Sequence, residues 1–210
     1  NGQMHFFRNN QDGNFIDQTD EANLKGLGGG LNMLHADYDN DGDLDILILR
    51  GAWMDKDGKI PNSLLRNNGE GRFTDVTFDA GLGEVHYPTQ TAAWADYDND
   101  GDLDIYIGNE TTGSESCPCQ LFRNNGDGTF TDKAKEAGVL NSGYTKGVAW
   151  GDYNDDGFPD LYVSNMGAAN RLFRNNGDGK FIDVAQQVGV TGPQESFPIW
   201  FWDFDNDGYL

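Results

Sequence analysis

The stretch Trp94-Ala-Asp96-Tyr-Asp98-Asn-Asp100-Gly-Asp102-Leu-Asp104-Ile-Tyr-Ile107 sets five aspartates at alternate positions, opens behind an aromatic ring and closes on an apolar run. Such crowded acid around a glycine reads as a tight loop, and the β-branched and aromatic run after it reads as a strand. The pattern recurs. Acidic loops open at Asp37, Asp96, Asp152 and Asp203, at spacings of 59, 56 and 51 residues. A second motif, Arg-Asn-Asn-x-(Asp/Glu)-Gly-x-Phe, opens at Arg8, Arg66, Arg123 and Arg174, at spacings of 58, 57 and 51. The two motifs step together, so the chain is built from one repeated unit.

Within a unit the extended runs are Thr91–Ala95, Leu103–Ile107, Gln120–Arg123 and Thr129–Thr131, punctuated by Gly, Asn and Asp. Four strands per repeat are predicted, the last two joined by the Asn-Gly-Asp-Gly turn at 125–128. Asp12, Glu70, Asp127 and Asp178 are turn formers in this reading. The stretch 131–137 reads as strand end plus loop. Helical solenoids need amphipathic helices that this sequence barely offers, so the predicted class is all-β, with propeller blades of four antiparallel strands. The expected blades are 31–83, 84–140 and 141–192, flanked by a half blade at 1–30 and the start of another at 193–210. His35, Trp94, Trp150 and Phe201 hold one position, two residues before each loop, and are expected to fill the space between neighbouring blades.

Each complete loop reads Asp-x-(Asp/Asn)-x-Asp-Gly-x-x-Asp, a pattern of hard oxygen donors with a glycine at the bend that suits calcium. The predicted ligands are side chains at positions 1, 3, 5 and 9 and the backbone carbonyl at position 7. They are Asp37, Asp39, Asp41, Asp43 and Asp45 in the first loop and Asp96, Asp98, Asp100, Asp102 and Asp104 in the second. The third offers Asp152, Asn154, Asp156, Phe158 and Asp160, with one carboxylate fewer; the fourth offers Asp203, Asp205, Asp207 and Tyr209 before the sequence stops. An EF-hand would need a bidentate Glu at position 12 leading into a helix. Ile48, Ile107 and Val163 stand there instead, inside apolar runs. About one Ca²⁺ per complete loop is expected; without a cation the converging carboxylates would repel one another.

Composition agrees. Of the 35 Asp and Glu residues, 17 fall in these four loops, and a net charge of −21 disfavours nucleic acid and anionic lipid as partners. No apolar run reaches membrane-spanning length. Cys117 and Cys119 form neither a disulfide framework nor a zinc set. A strained local bridge, two free thiols and pairing beyond this segment are all open. Asn109-Glu-Thr111 is a formal glycosylation sequon. There is no nucleophile–His–carboxylate set and no phosphate-cradling loop, and the arginines recur in every repeat, so a structural role and no catalytic residue is expected.

The acidic loops resemble the calcium loops of FG-GAP repeats in integrin α-subunit propellers. The segments Gly147-Val-Ala-Trp-Gly-Asp-Tyr and Leu172-Phe-Arg-Asn-Asn-Gly-Asp-Gly are similar to VCBS-type repeats, and the chain resembles the bacterial ASPIC/UnbV group related to cartilage acidic protein. The resemblance covers essentially the whole chain. It implies a seven-bladed propeller, calcium on the blade loops, and export to the extracellular space, cell surface or periplasm, with a role in adhesion or assembly. A protein or glycan ligand and further blades of a longer chain are the implied partners. The integrin Phe-Gly and Gly-Ala-Pro signatures are missing, so integrin-like ligand binding does not follow. A calcium-dependent, lyase-like polysaccharide enzyme and the protomer of an extracellular filament are the alternatives. The chain is expected to be part of a longer propeller, with its first and last strands meeting protein outside this sequence.

Overall fold

A computed structural model describes residues 2–113 and 115–210. A short hairpin, β1 (Phe7–Asn9) with β2 (Phe15–Asp17), precedes three four-stranded antiparallel sheets. The first sheet holds β3 (Asn32–Ala36), β4 (Asp45–Leu49), β5 (Ser63–Asn67) and β6 (Phe73–Asp75). The second holds β7 (Thr89–Ala95), β8 (Asp104–Asn109), β9 (Gln120–Asn124) and β10 (Phe130–Asp132). The third holds β11 (Thr145–Gly151), β12 (Asp160–Asn165), β13 (Arg171–Asn175) and β14 (Phe181–Asp183). Strands follow one another in sequence order across every sheet, which makes each a propeller blade.

Why the strands run where they do follows from burial on both faces. Successive side chains of a strand point to opposite faces. In β8, Ile105 and Ile107 pack toward the first blade, against Tyr38, Leu47 and Leu64. Tyr106 turns the other way, into a cluster with Leu121 of its own blade and Val148, Leu161 and Val163 of the third. A strand sandwiched in this way is apolar along its middle, here Ile105-Tyr-Ile107, and all six residues of β8 are buried. The hydrophobic core therefore lies between the blades. Trp94 stacks on Tyr38 of the preceding blade (6.4 Å between centroids, 20°) and Trp150 on Tyr97 (6.3 Å, 11°). Phe201 meets Tyr162 edge-on. His35 departs from this expectation: among the described residues its repeat is preceded only by the β1–β2 hairpin, and its ring lies exposed.

The segment after β10, read from sequence as strand end plus loop, is instead one helical turn, α1 (Ala134–Ala137), and α2 (Ala185–Val188) repeats it after β14. The Asp132 carboxylate accepts the Ala134 N–H at the start. Gly138, at φ 80°, closes the end by donating its N–H to the Ala134 carbonyl, a left-handed cap that glycine adopts at no steric cost.

Antiparallel alternation puts the first-to-second and third-to-fourth strand connections at the same end of every blade. On that face the acidic loops span eight residues in each blade (37–44, 96–103, 152–159), and the Arg-Asn-Asn turns span five (68–72, 125–129, 176–180). The opposite face carries the second-to-third connections, of 13 residues at 50–62, ten at 110–119 and five at 166–170.

Candidate metal centre

Each acidic loop is shaped by its own side chains. In the second, Asp96 accepts the N–H groups of Asp100 (3.0 Å) and Gly101 (2.9 Å), and Asp100 accepts that of Asp102 (3.1 Å). Asp37, Asp152 and Asp203 make the equivalent pair of bonds in their loops. Positions 1 and 5 thus hold the turn in one conformation, and Gly101 at φ 95° supplies the bend. Position 9 is the first residue of the next strand. Asp104 faces Ala95 across the ladder and accepts N–H groups from Tyr97 (3.1 Å) and Asn124 (2.8 Å), which ties loop, second strand and third strand together. Asp45 and Asp160 repeat this arrangement.

The carboxylates converge unequally. Oxygens of Asp37, Asp39 and Asp41 lie within 4.8 Å of one another, as do those of Asp96, Asp98 and Asp104 and those of Asp203, Asp205 and Asp207. Among the described residues the loop at 152–160 gathers no such trio of acids, and Asn154 there donates to Asp156 at 2.8 Å. The position-7 side chains point away from the cluster, toward the neighbouring turn: a Cβ on Gly126 would meet the Asp102 carboxylate at 2.9 Å, and one on Gly177 the Phe158 ring at 2.8 Å.

Burial raises the cost of this charge. It pushes Asp104 up to about 7 and Asp45 and Asp160 up to about 6. Asp39 and Asp98 are raised as well, first by burial and then by repulsion from Asp41 and Asp100. One oxygen each of Asp39 and Asp98 is buried with no hydrogen-bond donor. Buried carboxylate oxygens without donors, packed among other carboxylates, fit an oxygen-seeking divalent cation.

Three contributors went unread in the sequence. The first Asn of the Arg-Asn-Asn motif lies just outside the turn read from sequence at 125–128, yet Asn124 donates to the carbonyls of Leu103 in its own loop (3.3 Å) and Tyr38 in the preceding one (2.8 Å). Asn175 does the same with Pro159 and Tyr97, and Asn67 reaches Leu44. The fourth loop position also bridges blades: Asn40 donates to Asp102 (2.8 Å) and Asn99 to the Gly157 carbonyl (3.1 Å). Finally, Arg123 lies 2.9 Å from Asp98 and 3.2 Å from Asp100. Recurrence of Asn at one place in every repeat was the available signal for the first of these. The remaining expectations fall into place simply: Asp12, Asp127 and Asp178 each accept an N–H two residues on, as turn formers do. Cys117 and Cys119 are free and buried. The Asn109 side chain is fully buried, and its amide nitrogen donates to the Pro118 carbonyl.

A family model described as an FG-GAP-like repeat matches residues 1–48, 51–107, 113–163 and 153–210. The chain belongs to the FG-GAP-like repeat family. Cartilage acidic protein 1 of Xenopus tropicalis is 37% identical to this FG-GAP-like chain over 116 residues, which is 53% of the chain and 17% of the relative. Human cartilage acidic protein 1 is 37% identical over 101 residues, 46% of the chain and 15% of the relative. The chain thus matches about a sixth of the length of these relatives. Among solved structures it is similar to a lectin of Agrocybe aegerita, described as recognising non-reducing terminal N-acetylglucosamine. That likeness has a TM-score of 0.44 at 24% identity, over 85% of this chain and 44% of the lectin.

Proposed function

We propose that this FG-GAP-like propeller segment binds calcium on its acidic loops and serves as an extracellular scaffold for a protein or glycan ligand. The observation that carries the reading is the donorless, buried oxygen of Asp39 and Asp98 inside loops whose backbone is already set by their own aspartates. Asp37, Asp39 and Asp41 would hold the ion in the first loop, and Asp96, Asp98 and Asp104 in the second, joined by the position-7 carbonyls of Asp43 and Asp102. A bound cation supplies the positive charge these carboxylates lack. The chain's own residues do the rest: Asn124 and Asn175 fix loop to loop, so neutralising the carboxylates steadies the joint between blades. Affinity is expected in the range found for extracellular modules, roughly 10⁻⁴–10⁻³ M. Calorimetric titration of the chelated protein with CaCl₂ tests this. Heat saturating at two or more ions per chain in that range supports it, and the absence of calcium-specific heat up to 10-fold above it rejects it.

A further inference from the structure

On the face opposite the acidic loops one ammonium group is wholly withdrawn from water. Lys146, in β11, pairs with Glu110, and both side chains are 0% exposed. Glu110 also accepts the backbone N–H of Trp53 at 2.6 Å. Three rings enclose the ammonium: Trp53 at 3.4 Å from its centroid, Tyr144 at 3.6 Å and Phe197 at 5.8 Å. Trp53 stacks on Phe197 (5.9 Å, 16°) and meets Tyr144 edge-on (5.9 Å, 83°).

These residues come from four successive repeats. Trp53 follows β4, Glu110 follows β8, Tyr144 and Lys146 belong to the entry of the third blade, and Phe197 lies beyond α2. Among the described residues, backbone bonds on the same face join adjacent repeats, as in Thr89 N–H to the Arg50 carbonyl (2.8 Å) and Thr111 N–H to the Gly143 carbonyl (3.0 Å). Trp53 alone among these residues reaches past the next blade to the two after it. The arrangement is not a repeat signature either: the position six residues before each loop, Lys146 in the third blade, holds Leu31, Gln90 and Phe197 in the others.

We propose that Lys146 and Glu110, enclosed by Trp53, Tyr144 and Phe197, form a fastener that couples four successive repeats on the face opposite the acidic loops. A buried ion pair is weakly stabilising as a pair but strongly destabilising when one partner is removed, because the other charge is then left in a dry site. The rings add attraction for the ammonium that solvent cannot replace. The array is therefore held on one face by the acidic loops and on the other by a cation covalently part of the chain, so the second face stays in place whatever the calcium concentration.

Hydrogen–deuterium exchange on the whole chain tests the coupling, comparing wild type with Lys146→Met, Glu110→Gln and the double variant, in calcium and in EGTA. Lys146→Met should raise exchange at least tenfold at 50–58 and 193–199, both far from position 146 in sequence. The double variant, which leaves no unpaired charge but gives the rings no ammonium, should recover only part of that protection, and full recovery would overturn the proposal. Calcium should not restore it in the single variant. A rise confined to 108–112 and 144–148, or protection restored by calcium, would overturn the proposal. Should Lys146→Met fail to fold, Trp53→Leu serves, since that side chain is half exposed. It should raise exchange at Tyr144–Gly147 at least threefold, and no change there rejects the coupling.

Discussion

The loops at 96–104 and 152–160 have the same shape and different charge. Asp96 and Asp152 make the same two backbone hydrogen bonds, and Asp104 and Asp160 pin the same two N–H groups. Of these two, it is the second loop that draws three acids within reach of one ion; in the third, Asn154 replaces an acid and turns its amide onto Asp156. Conformation is set by positions 1, 5, 6 and 9, whereas attraction for a cation is set by position 3. The two properties vary independently along one chain, so the third loop can keep its joint with the second blade while its affinity for a cation changes.

With calcium on the acidic loops as proposed, chelation should produce the largest effect. If each of two loops contributes about 2.7 kcal/mol when calcium is at 100 times its dissociation constant, excess EGTA should lower the melting temperature by about 10 °C or more. Scanning calorimetry would read this, and loop 96–104 should lose more exchange protection than loop 152–160. Equal loss in both would break the comparison.

The inter-blade clamps should come next. Asn124→Ala leaves two carbonyls without their donor at a buried joint, a loss of about 2–3 kcal/mol in chemical denaturation. Asn175→Ala should cost the same, because its geometry matches and loop charge does not enter. Asn67→Ala, whose amide nitrogen donates to Leu44 alone and to no carbonyl of a preceding loop, should cost less than half as much. A gap between the Asn124 and Asn175 variants would mean that shape and charge are not separable after all.

Exchanging the third position sharpens the contrast. Asn154→Asp should tighten calcium at the third loop about tenfold, and Asp98→Asn should weaken the second by a similar factor, reversing their order in a calcium titration followed by residue-resolved NMR. The smallest effect is expected from Arg123→Gln. Its guanidinium competes with any cation for Asp98 and Asp100, but the pair is partly exposed, so calcium affinity at the second loop should rise by no more than about threefold.

How much of this could be read from residues depended on whether the signal was local. The strands were legible because a blade buried on both faces needs an unbroken apolar run, as in Ile105-Tyr-Ile107. The acidic loops were legible as loops because all their carboxylates lie within nine residues. The helical turn at Ala134–Ala137 was missed since four residues give no period, and its stop signal, Gly138, also suits a loop. The role of Asn124 carried no local signal, because its bond to Tyr38 spans 86 residues. Lys146 and Glu110 stand 36 apart in different repeats, and no pattern within either repeat points to the other.

The unequal second-to-third connections have an evolutionary consequence. Thirteen residues at 50–62 against five at 166–170, beside acidic loops and turns of constant length, show that length variation among the described blades is carried on the face away from the aspartates. Insertions there leave strand register and loop spacing untouched, so away from Trp53, Glu110 and Lys146 this face can accept added length while the other is held to a fixed template. Grafting a peptide epitope between Gly167 and Asn170 should accordingly be tolerated, and the same graft at 98–100 should not.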